Sequence, residues 1–319
     1  MTEISTNLEK AKIILQSDEL VAIPTETVYG LAANAFSEDA VKKIFALKNR
    51  PAFNPLIVHI ASISDLNKIA KNIPPLAMKL AETFWPGPLT LLLEKKAIVP
   101  DCVTAGNKTV AVRIPNHPLT LQLLSELSFP LAAPSANPFM SISPTNPQHV
   151  KNYFDGKLKM VLDGGPCIDG IESTIIGFRD NQAVLYREGS CEITALEKIT
   201  GRLLKPENTA TTFEAPGMLK KHYAPKTKLV VTRIVKESIQ EHIGKKIGVL
   251  TFTAIEILPE VYAQKHLSSN NSLKEAATNL YATLIELDSL GLDVIIAEYM
   301  PNQGLGNTIN DRLERASSI

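Results

Sequence analysis

Leu20-Val21-Ala22-Ile23-Pro24-Thr25-Glu26-Thr27-Val28-Tyr29-Gly30-Leu31 is a run of four apolar residues, a proline, then hydroxyls, a carboxylate and a glycine. The apolar run reads as a buried strand, and Pro24 ends it. Glu38 to Leu47 follows, with Val41, Ile44, Phe45 and Leu47 on one helical stripe. Leu56-Ile57-Val58-His59-Ile60 then reads as a second strand. Strand, helix and strand in that order mark the start of an α/β protein.

The pattern continues outward. Pro75 to Trp85 reads as a helix stopped by Pro86-Gly87-Pro88. Leu89 to Leu93 and Val110 to Ile114 read as strands, His117 to Leu127 as a helix, and Leu131-Ala132-Ala133 as a short buried strand. Met160 to Leu162, Thr174 to Ile176 and Ala183 to Tyr186 follow as strands with no helix between the last two, so the sheet is expected to be mixed. Residues 206–227 hold Pro206, Pro216, Gly217 and Pro225 with little apolar periodicity, and read as a linker between 1–205 and 228–319. The last segment repeats the α/β pattern. Its strands are Leu229 to Val231, Ile247 to Leu250 and Val294 to Ala297. Ser272 and Glu275 have the spacing of a capping box ahead of a helix with Leu273, Ala277, Leu280, Leu284 and Leu287 on one face. Asn307 to Ala316 reads as a final helix.

Composition narrows the function. The chain has 319 residues, with 33 Lys+Arg against 33 Asp+Glu, so no net charge favours a long polyanion. No apolar run reaches the ~18 residues of a membrane-spanning helix, and the start shows no basic segment leading into an apolar one. Cys102, Cys167 and Cys191 are far apart and form no C-x-x-C, which removes zinc-finger and thioredoxin readings and suits a reducing, cytoplasmic setting. Walker A, G-x-G-x-x-G, H-E-x-x-H and G-x-S-x-G patterns are all lacking.

Charge is uneven along the chain. Residues 40–64 hold Lys42, Lys43, Lys48 and Arg50 with no acid, and residues 215–236 hold Lys220, Lys221, Lys226, Lys228, Arg233 and Lys236 with none. In Lys48-Asn49-Arg50-Pro51-Ala52-Phe53-Asn54-Pro55-Leu56, two prolines fix a loop from which two cations and two amides are expected to project, an arrangement suited to polyphosphate. The dipole of the preceding helix explains a terminal cation almost as well. Thr25 to Leu31 and Ala133-Pro134-Ser135-Ala136-Asn137-Pro138, with Ser143 beyond, are stiff polar loops after strands, where ligands of open α/β sheets sit. Ser135 and Asn137 suit phosphate or ribose. Ile171-Glu172-Ser173-Thr174 is a polar step into a strand, and Arg113 and Arg187 each stand at a strand end.

Together these segments resemble the YrdC/Sua5 family. Thr25 to Leu31, Lys48-x-Arg50-Pro51-x-x-x-Pro55-Leu56, Pro134 to Asn137 and Glu172-Ser173-Thr174 carry the resemblance. Pro216-Gly217-Met218, His222-Tyr223-Ala224-Pro225, Gly304-Leu305-Gly306 and Asn310-x-Arg312-Leu313-x-Arg315-Ala316 extend it to the longer, Sua5-type members. The resemblance implies a YrdC-like catalytic domain over 1–205, a linker over the active site at 206–227 and a Rossmann-like Sua5 C-terminal domain over 228–319. It also implies a nucleotidyltransferase that makes threonylcarbamoyl-AMP from L-threonine, bicarbonate and ATP, for t6A in tRNA. By the same resemblance Thr27, His59, Arg113 and Ser173 hold L-threonine. Arg50, Asn54, Thr109, Ser135, Ser143, Arg187 and Tyr223 bind ATP, Lys48 lies near the phosphates and Ala133 gives backbone contacts. Lys48 and Arg50 are the expected catalytic pair. Mg²⁺ is expected with ATP; no prosthetic group or protein metal ligand is assigned. The implied partner is the downstream tRNA threonylcarbamoyltransferase machinery, with weak RNA contact and no membrane.

Two other readings compete. An RNA-binding module would use the basic concavity without ATP turnover, but aromatics are only 6% and do not interleave with the cations. A hydrogenase-maturation carbamoyltransferase would carry zinc-binding C-x-x-C motifs.

Overall fold

The computed structural model describes residues 1–206, 215–217, 222–256 and 258–318. The chain divides into two compact units. One comprises Met1–Phe139, Pro144–Cys167 and Glu172–Met218; the other comprises Met140–Ser143, Ile168–Ile171 and Leu219–Ile319. Of the linker reading, residues 207–214 and 218–221, with Met218, Lys220 and Lys221, lie outside the described residues.

In the first unit the strands are β1 (Glu3–Ser5), β2 (Val21–Ile23), β3 (Gly30–Asn34), β4 (Ile57–His59), β5 (Leu89–Glu94), β6 (Thr109–Arg113), β7 (Leu131–Ala132), β8 (Met160–Leu162), β9 (Thr174–Arg179) and β10 (Gln182–Arg187). They form one sheet in the order β1-β8-β2-β3-β7-β4-β6-β5-β9-β10. The sheet is mixed, as the sequence leads one to expect: β4 runs parallel to β6 and β5 to β9, while β3, β7 and β4 alternate and β9-β10 is a hairpin. Strand β3 is not legible in the sequence, because Gly30-Leu31-Ala32-Ala33-Asn34 is poor in β-branched residues; its burial between β2 and β7 makes it a strand. The helix Leu8–Gln16 also escapes the sequence reading. The Asn7 side chain caps it by accepting from Lys10 N at 2.9 Å, and it buries Ala11 and Leu15.

The helix Glu38–Lys48 is capped by Ser37, whose hydroxyl accepts from Ala40 N, and ends at Asn49 in the left-handed region, φ 51°. Val41, Ile44 and Lys48 are buried and share one face by their 3- and 4-residue spacing, so the helix turns Lys48 inward.

The second unit holds β11 (Lys228–Thr232), β12 (Ile247–Thr251), β13 (Ala263–His266) and β14 (Val294–Glu298), all parallel in the order β11-β14-β12-β13. The helix Leu273–Asp288 buries Ala276, Ala277, Leu280, Tyr281, Leu284 and Leu287. Ser272 caps it, accepting from Glu275 N at 3.2 Å, but the capping box does not close: the Glu275 carboxylate accepts from the Ser268 and Ser269 hydroxyls instead.

Candidate functional site

The site in the first unit is built on one face of two parallel strands. Side chains at alternate positions share a face, so Thr109, Ala111 and Arg113 of β6 line up beside Ile57 and His59 of β4. The register pairs Ile57 with Ala111 and His59 with Arg113. Ile57 and Ala111 make an apolar floor, and the four-residue step from Thr109 to Arg113 spans about 13 Å.

At the Arg113 end the polar groups are nearly dry. Thr27, His59, Arg113 and Ser173 are each at most 3% exposed. Arg113 donates from Nε to the Gly87 carbonyl at 3.2 Å. Its Nη2 lies 2.7 Å from Oε2 of Glu26, yet neither atom has a hydrogen bond of good geometry: the charges touch with donor and acceptor misaligned. The His59 Nδ1 also lacks a partner. Burial, and then the neighbouring Arg113 charge, push the His59 imidazole down to about 3, so it is neutral at physiological pH. Buried polar atoms without partners are uncommon, and a group of them on one floor is what a polar ligand would satisfy.

Glu26 reaches Arg113 because the chain turns sharply after β2. Thr25 Oγ1 accepts from the Thr27 and Val28 amides at 3.2 Å each and donates to the Val28 carbonyl at 2.6 Å. Thr27 Oγ1 lies 2.9 Å from Thr25 Oγ1.

Ser173 enters beside Arg113 through the next strands, since β5 pairs with both β6 and β9. Its hydroxyl lies 2.8 Å from Thr90 Oγ1, and Arg187 grips it: Nε and Nη2 donate to the Ser173 carbonyl at 3.1 and 2.8 Å, and Nη2 to Oγ at 3.1 Å. Gly189 allows this approach, because a Cβ there would lie 2.3 Å from the Ser173 carbonyl carbon.

At the Thr109 end stand the two proline-fixed loops. Ala133 N donates to the Ile57 carbonyl at 2.9 Å, setting Pro134 to Asn137 beside the start of β4. The expectation that Lys48 and Arg50 project from their loop is not met: they are 1% and 8% exposed. Lys48 Nζ donates to the Ser135 carbonyl at 2.5 Å and to the Asn137 carbonyl, tying the helix end to the second loop. Burial, and then the Arg50 charge, hold its amine well below the ordinary lysine range. Arg50 curls onto its own loop, donating to the Asn54 carbonyl at 3.1 Å and the Pro55 carbonyl at 2.8 Å. The physical reason is local: these carbonyls have no strand partner, and the two cations supply donors. Asn54 Nδ2 remains buried without a partner.

The structure thus gathers His59, Arg113, Ser173 and Arg187 toward one end of the strand face, where Glu26 of the turn that carries Thr27 reaches Arg113, and Lys48, Arg50, Asn54, Thr109, Ala133, Ser135 and Asn137 toward the other. Ser143 and Tyr223 belong to the second unit. There Ala224 N donates to the Met140 carbonyl, and the Tyr223 ring stacks on Tyr281 at 5.7 Å with the Arg312 guanidinium 5.0 Å from its centroid. Glu26 is the site residue that the sequence reading did not assign. Its signal was its place between two threonines at a strand end, in a chain whose 40–64 stretch leaves cations uncompensated.

Comparison with known proteins covers both units. Residues 13–189 match the family model Sua5_yciO_yrdC, whose description is telomere recombination, and residues 191–318 match Sua5_C, the threonylcarbamoyl-AMP synthase C-terminal domain. The chain is 41% identical over 317 residues to the threonylcarbamoyl-AMP synthase of Pyrococcus abyssi, covering 95% of this chain and 92% of that one. It is 42% identical over 332 residues to the Bacillus subtilis protein of the same name, covering 99% and 95%. The crystal structure of P. abyssi Sua5 complexed with L-threonine matches with a TM-score of 0.92 at 40% identity, over 99% of this chain and 98% of that one. Escherichia coli YciO, with a TM-score of 0.53 at 20% identity over 59% of this chain, shares the fold of the first part.

Proposed function

The chain belongs to the Sua5/YciO/YrdC family, with the Sua5 C-terminal domain, and from that premise we propose that it is a threonylcarbamoyl-AMP synthase, a nucleotidyltransferase serving t6A formation in tRNA. Its substrates in this reading are L-threonine, bicarbonate and ATP. The observation that carries the reading is the His59–Arg113 pair, a neutral imidazole beside a buried guanidinium, which suits an amino-acid carboxylate. The P. abyssi Sua5 relative bound to L-threonine supports the same substrate.

The strand face sets the division of the site. Threonine sits at the Arg113 end, with Thr27, His59 and Ser173. The nucleotide lies toward Thr109, Asn54, Ser135 and Asn137 with Arg50, and its phosphates run toward Arg187 at the Arg113 end, where the carbamate would meet them. Threonine's amine takes up CO2 to give a carbamate; a carbamate oxygen attacks the α-phosphorus and pyrophosphate leaves. The nucleophile is already an anion, so the reaction asks chiefly for two anions to be held together in a dry site. Among the described residues no group of three or more His, Cys, Asp or Glu side chains is placed to hold a metal ion. Mg²⁺ is proposed to accompany ATP, where it would supply charge neutralisation of the phosphates. The mixed anhydride is water-labile, and the 206–227 linker, including Tyr223, is the segment we assign to its retention. Product then passes to the tRNA threonylcarbamoyltransferase machinery in the cytoplasm. No helix among the described residues is long and apolar enough to cross a membrane.

Incubation with ATP, bicarbonate and L-threonine should release pyrophosphate in a threonine-dependent way. Release that ignores threonine, or salt-sensitive RNA binding without ATP turnover, would overturn the reading.

A further inference from the structure

Glu26 is a buried carboxylate that the reaction as written does not use. It is 3% exposed, touches Arg113 at 2.7 Å, and has no hydrogen-bond donor on either oxygen. An ion pair kept only to neutralise Arg113 would be expected to align at least one N–H with it, since a dry, unbonded carboxylate is destabilising. In the misaligned pair Oε2 touches the guanidinium and Oε1 has no partner, so neither oxygen is satisfied by a well-aligned donor.

The chemistry names what those oxygens would accept. Threonine's amine is an ammonium ion near neutral pH and cannot attack CO2 until it loses a proton. A threonine whose carboxylate sits on Arg113 carries that ammonium one carbon away, and Glu26 is the carboxylate in contact with that guanidinium. Resting on the synthase reading above, we propose that Glu26 is the proton acceptor for the threonine ammonium, and so a catalytic residue of the carbamate-forming step.

The step balances. An ammonium N–H bond breaks and its proton passes to a Glu26 oxygen. The freed lone pair forms the N–C bond to CO2, and one C=O electron pair moves onto oxygen. The adduct then sheds a second N–H proton to give the carbamate. Two protons leave per carbamate formed, both to solvent, the first by way of Glu26. The charged and titratable groups that act on Glu26 are Arg113 on β6 and His117 at the head of the next helix, with His59 beside Arg113. His117 is half-buried, and burial holds its imidazole below the ordinary value, against a smaller upward pull from Glu26. It is therefore not a competing charge at neutral pH.

Comparing the two directions of the reaction tests this. Forward synthesis from L-threonine needs the amine deprotonated. The reverse reaction, ATP formation from threonylcarbamoyl-AMP and pyrophosphate, ends at the carbamate and does not. Glu26→Gln keeps the shape of the side chain but accepts no proton. It should lower the forward rate by about 10²-fold or more at neutral pH, the usual contribution of a positioned base, and change the reverse rate far less. The forward deficit should also shrink as pH rises and free amine becomes available, and Glu26→Asp should restore part of the forward rate. Equal losses in both directions, or a forward deficit that does not vary with pH, would mean that Glu26 only supports Arg113, and would overturn the proposal. Should Glu26→Gln fail to fold by circular dichroism, the forward-to-reverse ratio of Glu26→Asp decides in the same way. A wild-type protein with no threonine-dependent pyrophosphate release would fail earlier, overturning the synthase reading itself.

Discussion

Lys48→Met tests whether the buried amine is a brace between two loops. Methionine fills the volume of the lysine stem, so a cavity contributes little. What is lost is the donor to the Ser135 and Asn137 carbonyls, two buried acceptors 87 and 89 residues away in sequence. Each carbonyl left without a donor costs about 1–3 kcal/mol, and relief of the buried amine offsets part of the sum, leaving about 3 kcal/mol. In a domain of this size that lowers the melting temperature by about 6–12 °C. Turnover should fall by about 10²-fold, because the loop carrying Ser135 and Asn137 loses its anchor. The pH dependence gives a second signature. The folded amine titrates below its unfolded value of 10.5, so the stability linked to this group is present above 10.5. As pH falls from 10.5 the unfolded chain takes up a proton that the folded chain does not, and wild type loses stability by up to about 1.4 kcal/mol per pH unit. The variant lacks that slope, so its deficit should be largest at high pH and narrow as pH falls. Thermal and urea unfolding from pH 7.5 to 10, with pyrophosphate release at each pH, measure both effects. A melting temperature within about 2 °C of wild type, or a deficit that does not vary with pH, would refute the brace.

His59 titrates at about 3 in the folded chain against an ordinary 6.5, so its stability contribution is present above 6.5 and lost as pH falls toward 3; His59→Gln should show a weaker acid destabilisation in urea titrations between pH 7 and 4. Arg187→Lys replaces a fork that grips both the Ser173 carbonyl and hydroxyl with a single point donor, and should raise KM for L-threonine as well as for ATP, measured by initial rates. Gly189→Ala puts a methyl 2.3 Å from the Ser173 backbone and should abolish threonine binding in calorimetry while the second unit still melts normally. Tyr223→Ala removes a ring packed between Tyr281 and Arg312 and should destabilise the second unit by about 3–5 kcal/mol, so Tyr223→Phe is the variant in which nucleotide retention can be read without loss of fold.

What the sequence hid follows from where the missing information lay. The strands beginning at Val21, Ile57, Leu89 and Met160 were legible because burial on both faces demands continuous apolar runs. Gly30 to Asn34 was not, since an alanine-rich strand is defined by its neighbours, and Ala263-Gln264-Lys265-His266 was not, being a polar strand at a sheet edge. The site divides in the same way. Residues read as polar steps at strand ends, Arg113 and Ser173 among them, lie where the strand register alone carries them. Lys48 was misread for lack of one comparison: it continues the buried stripe of Val41 and Ile44 by four residues, so helical geometry already pointed it inward. A charge on such a stripe implies an acceptor inside, and the acceptors came from a loop that no local pattern connects to it.

The same logic bears on how the two halves of the site would work together. In the loops at the Thr109 end, Lys48 and Arg50 spend hydrogen bonds on backbone carbonyls, so these side chains fix geometry before any phosphate arrives. At the Arg113 end, Glu26, His59 and Arg113 keep buried polar atoms without partners. The cationic side chains of the Thr109 end are thus fixed by their own chain, leaving Asn54 Nδ2 without a partner there, while the unpartnered groups of the Arg113 end include a charged pair. In the proposed reading, an enzyme that forms a labile carbamate before adenylating it is served by a rigid nucleotide seat and by an amino-acid seat whose unpaired groups the substrate completes. Substitutions at the Thr109 end should therefore register in stability and turnover together, whereas Glu26→Gln should also lower the forward rate relative to the reverse, beyond any loss of stability from the buried charge left on Arg113.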